Sequence, residues 1–288
     1  MFVWIRSRAD ITELRYAGME TVYQNDLQLK RFIRFFAKTS FNSLEDSFCE
    51  TAEEDLCYFR GILVNSSAQL GLYNAPSIPS LIRSALSTGQ QKMFAGFHGQ
   101  FNAIAYTSEN DTLTAATNVA NTMRIYYFQD YDTVIVASSI KLITTALKYL
   151  KKKLAVDEIG ARMILSYGFT LADYTTISGI KQLGAGNCLQ VVGDSVSVIS
   201  YQKYNNEPLH HNEGEAVEEL EQLFLRSVQA GYEKDLEKGR KHIAFLSGGL
   251  DSRIGMWAAY KQGYRDLECL NFSQPGYADE VIARQICK

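Results

Sequence analysis

The sequence predicts a layered α+β domain followed by an α/β domain built on a parallel sheet. Two observations support this prediction. Up to residue 204, short apolar runs separated by polar turns are typical of antiparallel strands with helices beside them. From residue 241 onward, strand-like and helix-like segments alternate, which indicates parallel strands joined by crossover helices. Residues 205–240 are predicted to form a turn-rich linker and a connecting helix between the two domains, 1–204 and 241–288.

Hairpins are predicted in the first region wherever two apolar, β-prone runs flank a polar turn. Phe101–Tyr106 and Leu113–Val119 form one such pair, and Ile125–Phe128 and Thr133–Ala137 form another. The segment Cys188–Ser200 alternates on both sides of a Gly-Asp turn and predicts a third hairpin. These strands are expected to pair antiparallel.

Two helices are predicted beside these strands. Apolar residues recur on one face from Ile140 to Leu150, and Ser138 or Ser139 can cap that helix. Asp157 begins a second helical pattern, which ends near Gly168. Helices grouped beside antiparallel strands complete the prediction of a layered α+β domain.

The second region begins after a long charged amphipathic helix over residues 213–238. Ile243–Leu246 and Leu267–Phe272 are predicted strands, and Ile254–Gln262 and Asp279–Cys287 are predicted helices. Two parallel strands do not close a layer that is normally buried on both faces. The chain is therefore expected to be the N-terminal part of a longer protein, truncated in its second domain.

The composition excludes several classes of protein. A net charge of −3 gives no reason to expect a nucleic-acid partner. No stretch approaches the ~20 apolar residues of a membrane-spanning helix, so no membrane partner is expected. Five scattered cysteines favour neither a disulfide framework nor a zinc site, and a reducing cytoplasm is the expected location. His210 and His211 lack a third ligand at sensible spacing and are expected to belong to the solvated linker.

The chemistry is concentrated in the hexapeptide SGGLDS at Ser247–Ser252, between a buried strand and a helix. Gly248 and Gly249 allow a tight turn that brings backbone N–H groups close to phosphate oxygens. The two serine hydroxyls add donors, and the following helix offers its positive N-terminal end. The alternative is a plain glycine-rich turn with a serine cap, but the strand–loop–helix context favours an anion cradle.

Asp251 is the unexpected member of this loop, because a carboxylate beside phosphates would repel them. Its presence is explained if Mg²⁺ lies between them, since hard cations on phosphates take one or two carboxylate ligands. No lysine occupies the place that it has in the Gly-x-x-x-x-Gly-Lys-Ser/Thr loop. The loop is therefore predicted to bind a phosphate chain together with magnesium.

The second strand ends close to the same place. In an open parallel sheet, ligands lie beyond the carboxyl ends of the strands, which puts Ser273 beside Ser247. An ordinary loop serine is an equal alternative for Ser273. Asp279 and Glu280, which open the next helix, are more simply explained as a favourable charge pair at a helix N-terminus.

The hexapeptide resembles the signature of the ATP pyrophosphatase, or PP-loop, families, which split ATP into AMP and pyrophosphate. Among them, the long N-terminal region resembles the glutaminase-type domain of asparagine synthetases. The resemblance is loose over residues 114–127, 134–141 and 176–187 and tight at the loop, and it covers most of the chain from about Gly96.

The resemblance implies an αββα sandwich of the N-terminal-nucleophile (Ntn) hydrolase type, followed by a PP-loop ATP-binding domain. It implies that a carboxylate, on a small molecule or a peptide, attacks the α-phosphorus of ATP, and that an amine or ammonia then displaces AMP from the acyl-adenylate. Leu246 and Ser273 would line the adenine pocket, and the catalytic residues would lie beyond Lys288. The implied ATP-binding residues are Leu246, Ser247, Gly248, Gly249, Leu250, Asp251, Ser252 and Ser273, with Asp251 also the Mg²⁺ ligand.

Three departures from the family affect the glutaminase half. The chain begins Met1-Phe2, where the family has a cysteine with a free α-amine, and neither Cys49 nor Cys57 can substitute. Asn65–Ser67 stands where the family has Asn-Gly-Glu, and Thr117-Asn118 where it has Arg-Asp. The same losses occur in β-lactam synthetase and lasso-peptide cyclases. This half is therefore predicted not to hydrolyse glutamine.

The sequence thus predicts an AMP-forming amide ligase with a degenerate glutaminase half. Two alternatives stay open: a genuine glutamine-hydrolysing asparagine synthetase with a wrongly assigned N-terminus, and a non-catalytic nucleotide-binding protein. The identity of the carboxylate, the nitrogen source and the oligomeric state, a homodimer included, are not fixed by the sequence.

Overall fold

A computed structural model describes residues 1–27, 31–42, 45–52, 55–205, 207–208 and 212–287. His210 and His211 lie outside the described residues. The chain divides into two compact units, Met1–Tyr204 and Asn205–Lys288. Each unit is described here by itself.

The first unit contains two antiparallel sheets. One has the strand order β10-β8-β9-β1-β3-β2 and the other the order β12-β11-β7-β6-β5-β4. The strands are β1 (Phe2–Ser7), β2 (Glu20–Leu27), β3 (Arg31–Ala37), β4 (Phe48–Ala52), β5 (Asp55–Leu63), β6 (Gly99–Thr107), β7 (Thr112–Thr117), β8 (Tyr126–Gln129), β9 (Thr133–Ala137), β10 (Ile180–Gln182), β11 (Asn187–Val192) and β12 (Ser195–Ser200). The helices are α1 (Ser66–Tyr73), α2 (Ile78–Leu86), α3 (Ile140–Tyr149) and α4 (Glu158–Tyr167), with a 3₁₀ helix at Gln91–Gly96.

The two sheets pack face to face through an aromatic core. Phe2 on β1 stacks on Phe35 on β3 at a ring-centroid distance of 6.1 Å. It also meets the ring of Tyr58, on the other sheet, edge to face at 5.6 Å. Trp4 and Tyr106 belong to the same buried cluster. Aromatic rings bury large apolar areas, so this layer contributes much of the stability of the unit.

Helices cover the outer faces of both sheets. Leu142 and Ile143 of α3 pack on Val3 and Ile5 of the first sheet. Residues of α2 and the 3₁₀ helix pack on the outer face of the second sheet, around Phe101. The unit is thus layered helix, sheet, sheet, helix, and the antiparallel sheets that the sequence predicts for this region are confirmed.

One buried arginine joins the two sheets at one end. The guanidinium of Arg6, on β1, lies 2.5 Å from an Asp111 oxygen in the β6–β7 turn and 3.0 Å from Asp194 in the β11–β12 turn. Arg8 and Arg31 also pair with Asp194, at 3.2 and 2.7 Å. Burial would raise the pKa of Asp194, but these three arginines outweigh it and hold the pKa below its usual value.

The second unit begins with helix α5 (Glu213–Glu237), whose N-cap Asn212 accepts a hydrogen bond from the Glu215 N–H at 2.8 Å. Strand β13 (His242–Phe245) pairs parallel with β14 (Leu267–Leu270), in register His242 to Leu267. Helix α6 (Leu250–Lys261) connects them, and α7 (Ala278–Ile286) follows β14.

Two predicted boundaries in this unit are wrong. Helix α6 begins at Leu250 and not at Ile254, because Gly249 adopts an extended N-cap conformation and Leu250-Asp251-Ser252 already form its first turn. Strand β14 ends at Leu270 and not at Phe272, because the Asn271 side chain bonds to the neighbouring backbone there. Within the described residues, no helix is long and apolar enough to cross a membrane.

Candidate functional site

The SGGLDS loop begins where strand β13 ends and leads directly into helix α6. Leu246 is buried, and its N–H donates to the Leu270 carbonyl at 2.9 Å, which continues the pairing of β13 with β14 by one residue. Gly249 is the N-cap of α6, and no side chain caps the helix. The first N–H groups of α6 therefore point out of the helix end, as in sites that bind anions.

A hydroxyl network fixes the shape of the loop. The Ser247 N–H donates to Ser252 Oγ at 3.0 Å, and the two serine hydroxyls lie 2.9 Å apart. The Gly249 N–H donates to Ser247 Oγ at 3.1 Å. Ser252, in the first turn of α6, thus reaches back to the end of β13. The two predicted serines are therefore in direct contact through their hydroxyl groups.

Gly248 contacts a residue that is distant in sequence. Its N–H donates to Oδ1 of Asp279, in the first turn of α7, at 2.9 Å. A Cβ added at Gly248 would lie 2.6 Å from that oxygen and 3.1 Å from Cδ1 of Ile282. The first turn of α7 thus lies directly on the loop, and only glycine leaves room for it.

Asn271 ties the two strand ends together. Its Nδ2 donates to the Leu246 carbonyl at 2.7 Å, and its Oδ1 accepts the Ser273 N–H at 2.9 Å and the Ser273 hydroxyl. Ser273 is thereby held at the carboxyl end of β14, beside the end of β13. This is the place that the parallel-sheet rule assigns to it.

Two concavities lie at these strand ends. One, of about 320 Å³, is lined by Ser247, Ser252, Ser273 and Asp279, with apolar residues of both strands. The other, of about 430 Å³, is lined by Leu246, Ser273 and residues of α7. The structure therefore brings four predicted residues, Leu246, Ser247, Ser252 and Ser273, to one end of the sheet. Gly248 and Gly249 form the loop above them, and Leu250 opens α6 as an exposed residue.

Asp251 lies on another side of the loop. It is exposed and lines a shallow concavity of about 520 Å³ between α5, β13 and α6, which it shares with Ser252. Among the described residues it forms no ion pair, and no group of three or more His, Cys, Asp or Glu side chains could hold a metal. The Asp251 carboxylate can supply one ligand to Mg²⁺, and phosphate oxygens and water would supply the others.

The fit to a phosphate chain rests on the loop. The uncapped end of α6 offers backbone N–H donors, and the Gly248 N–H already holds a carboxylate oxygen, while the serine hydroxyls bond to each other and to the Gly249 carbonyl. An N–H that binds one anionic oxygen at hydrogen-bond distance has the position and direction to bind another. The loop therefore fits an anion such as the phosphates of ATP.

In the first unit, the positions expected for glutaminase chemistry are engaged otherwise. The Phe2 side chain is fully buried between the sheets, and Ser138 Oγ accepts its N–H at 3.0 Å. Asn65 donates to the Gly96 carbonyl at 2.9 Å and accepts the His98 N–H at 3.0 Å. Both groups of its amide are thus used to fix the segment between the 3₁₀ helix and β6.

The pair Thr117-Asn118 is buried and satisfied internally. Thr117 Oγ1 donates to the Met123 carbonyl at 3.0 Å, and Asn118 Oδ1 accepts the N–H and the hydroxyl of Thr122 at 3.0 and 2.9 Å. These contacts brace the turn after β7. Neither of these two side chains carries a charge that could bind an amino-acid substrate.

Cys49 and Cys57, the two cysteines weighed as substitutes for the missing N-terminal nucleophile, are poor nucleophiles in their surroundings. Burial raises the pKa of Cys57 to about 12. Burial is also the largest cause that raises the pKa of Cys49 to about 11. A thiol with such a pKa is almost entirely protonated at neutral pH, and the thiolate is the nucleophilic form.

Sequence reasoning missed two participants at the loop. Asn271 was taken only as the end of a strand, although a polar side chain directly after a buried strand is a signal of a role at the sheet edge. Asp279 was explained by the α7 N-terminus alone. Its bond to Gly248 spans 31 residues, and no local pattern indicates it.

The fold and the loop define a protein with a helix–sheet–sheet–helix unit and a separate strand–loop–helix unit in which no side chain caps the start of α6. No known family model and no curated protein matches the sequence. Among solved structures, a structure of the allosteric regulatory enzyme of purine biosynthesis is similar over 97% of this chain and 63% of that chain, with 12% identity and a TM-score of 0.38. Glutamine phosphoribosylpyrophosphate amidotransferase from B. subtilis, complexed with ADP and GMP, is similar over 96% and 63%, with 12% identity and a TM-score of 0.37.

These similarities are weak. The chain spans 63% of the length of each matched structure. At this identity and these TM-scores they support no conclusion about function, and a shared fold would not define an activity in any case. The function is therefore argued from the loop and its surroundings.

Proposed function

We propose that this protein is an ATP-dependent, AMP-forming amide ligase of the asparagine-synthetase type whose glutaminase half is degenerate. The observation that supports it is the geometry of the SGGLDS loop. Gly248 and the linked hydroxyls of Ser247 and Ser252 stand at the carboxyl ends of two parallel strands, against the uncapped end of α6. Parallel sheets bind nucleotides at this end.

In this proposal, the loop binds the pyrophosphate part of ATP. Negative charge on the departing pyrophosphate is stabilised by backbone N–H groups, by the serine hydroxyls and by the helix end. Mg²⁺, held in part by Asp251, would neutralise the phosphate oxygens. Leu246 and Ser273 would face the adenine from the 430 Å³ concavity.

The reaction has two steps. A substrate carboxylate attacks the α-phosphorus of ATP, which forms an acyl-adenylate and releases pyrophosphate. An amine or ammonia then attacks the acyl carbon and displaces AMP. The internal engagement of Phe2, Asn65 and Asn118 supports a nitrogen source other than glutamine.

The test is pyrophosphate release from ATP and Mg²⁺, measured on the full-length protein with aspartate and a panel of other carboxylic acids, together with calorimetry of ATP binding. Asp251→Ala is the test variant. Asp266→Ala is its matched control, because Asp266 is an exposed aspartate just before β14, at the opposite end of that strand from the loop.

Release that depends on a carboxylate, vanishes in Asp251→Ala and persists in Asp266→Ala would support the ligase. ATP binding without release for any acid would favour the non-catalytic nucleotide-binding alternative. Absence of ATP binding in the wild-type protein would contradict both.

A further inference from the structure

The carboxylate of Asp279 stands in the place where the loop would hold a phosphate oxygen. The N–H groups of Ser247 and Gly249 are taken by serine hydroxyls of the same loop. The Gly248 N–H differs, because it donates to an anionic oxygen supplied by another helix. Asp279 also lines the 320 Å³ concavity that contains both serines.

Among the described residues, no cationic side chain pairs with this carboxylate. Asp279 is exposed, and within the part of the chain that the structure describes it forms no ion pair. The neighbouring Glu280 differs: it accepts the Gly276 N–H at 2.5 Å and pairs with Arg284 at 2.6 Å. The two adjacent carboxylates of α7 thus have different partners. Glu280 is held by its own neighbours in sequence, and Asp279 contacts the loop.

We propose that Asp279 is a built-in competing anion, whose carboxylate occupies the Gly248 N–H and is displaced from it when pyrophosphate binds. The inference rests on the proposed function, because it assumes that this loop binds phosphates. Asp279 holds the Gly248 N–H in a binding direction, and its charge opposes an incoming phosphate. Asp279 is thus a positioning residue. Its charge weakens the binding of pyrophosphate when no metal is present, and its contact with Gly248 keeps the loop in shape.

The packing explains why Asp279 contacts Gly248. The Asp279 Cα lies 3.3 Å from where a Gly248 Cβ would be, so the backbone of α7 itself is close to the loop. The carboxylate is also in the first turn of α7, where the helix end stabilises negative charge. Displacement requires only a side-chain rotation, because Asp279 is exposed.

The experiment is calorimetric titration of the 288-residue chain with inorganic pyrophosphate in EDTA. Asp279→Asn retains an oxygen that can accept the Gly248 N–H and removes only the charge. Glu280→Gln, one residue away, is the matched control. Asp279→Ala is a second variant that removes both charge and acceptor, and circular dichroism establishes that each variant is folded.

The expected result is that Asp279→Asn and Asp279→Ala bind pyrophosphate roughly three- to tenfold more tightly than the wild type, with the gain shrinking as salt is added. Glu280→Gln should bind like the wild type. Unchanged or weaker binding by both Asp279 variants, with measurable wild-type binding, would overturn the inference alone. Absence of pyrophosphate and ATP binding in every protein would overturn the proposed function and the inference with it.

Discussion

At the scale of single residues, the loop depends on a glycine that has no unusual backbone angle. Gly248 is required by its neighbours, since Oδ1 of Asp279 and Cδ1 of Ile282 occupy the space of a side chain. Gly255, on helix α6 six residues after Gly249, has nothing within 4 Å of an added Cβ. The same substitution should therefore have opposite effects at the two positions.

Gly248→Ala should displace the first turn of α7, because the added methyl group occupies the same space. It should weaken ATP or pyrophosphate binding by at least about tenfold, because the N–H of residue 248 then no longer points toward the phosphate oxygen. Gly255→Ala should keep binding and stabilise the unit by about 0.5–1 kcal/mol, as alanine does in a helix interior. Calorimetry and thermal unfolding measure both effects. Equal binding by the two variants would contradict the proposal that the Gly248 N–H binds a phosphate oxygen.

Asp194 gives a prediction about pH. Its pKa is lowered in the folded state, so its contribution to the free energy of unfolding is present above the unfolded-state pKa of about 3.9 and is lost as the pH falls through the folded pKa. The carboxylate is 38% exposed, so solvent screening limits the contribution to about 1 kcal/mol.

Asp194→Asn should therefore be less stable than the wild type at pH 7, with the difference shrinking as the pH falls from about 5 to below 3. Glu109→Gln, an exposed change in the neighbouring β6–β7 turn, is the control and should show a smaller difference. Urea unfolding at several pH values measures this. A difference for Asp194→Asn that is constant with pH would show that the arginine cluster does not act through charge.

At the scale of elements, the sequence predicts three hairpins of the first unit, and it does not predict strand β1. Apolar, β-prone runs flank a polar turn at each of these hairpins, which are β6–β7, β8–β9 and β11–β12. Strand β1 is buried along its whole length, because one face meets the second sheet and the other meets α3. β7 and β9 are also buried along their whole lengths, but each follows a polar turn that joins it to a hairpin partner, whereas β1 pairs only with strands that are not adjacent to it in sequence.

The same limit applies to the site. Ser247 and Ser252 were predictable because the motif is contiguous, and Ser273 because parallel strands end at one edge. The contact of Gly248 with Asp279 depends on how α7 packs, which the sequence does not state locally. Helix α6 began earlier than predicted because its first turn belongs to the motif itself.

The cap of α4 gives a prediction at this scale. Asp157 Oδ1 accepts the Gly160 N–H at 2.8 Å, which satisfies one free donor of the helix. Asp157→Ala should lower the free energy of unfolding by about 1 kcal/mol. Glu158→Gln, in the first turn but 85% exposed, should cost less. Chemical denaturation compares the two, and equal losses would show that helix charge, not the cap, is responsible.

At the scale of the whole molecule, the two units differ in whether their polar groups are bonded internally or lie at a concave surface. In the first unit, polar side chains at the positions expected for glutaminase chemistry are bonded to nearby backbone groups, and Phe2 fills the core. In the second, loop donors remain at a concave surface. We infer that the first unit serves as a folded scaffold in the proposed ligase and that the second carries the chemistry.

This division makes a prediction about the nitrogen source. The wild-type protein should release no ammonia from glutamine above the buffer rate, with or without ATP, whereas pyrophosphate release with the right carboxylate should proceed with ammonia or an amine. Phe2→Cys should not create glutaminase activity, because the side-chain oxygens of Asn65 and Asn118 already accept hydrogen bonds from the chain itself. It should instead cost roughly 3 kcal/mol, since a large ring leaves the core between the sheets.

An enzyme-coupled ammonia assay and urea unfolding measure both outcomes. Phe2→Leu is the control, because it keeps most of the buried volume without a thiol and should be more stable than Phe2→Cys. Release of ammonia from glutamine by the wild type would contradict the scaffold role and restore the glutamine-hydrolysing alternative. Release by Phe2→Cys alone would mean that the glutamine site survives around a missing nucleophile, so that the internal bonds of Asn65 and Asn118 yield to substrate.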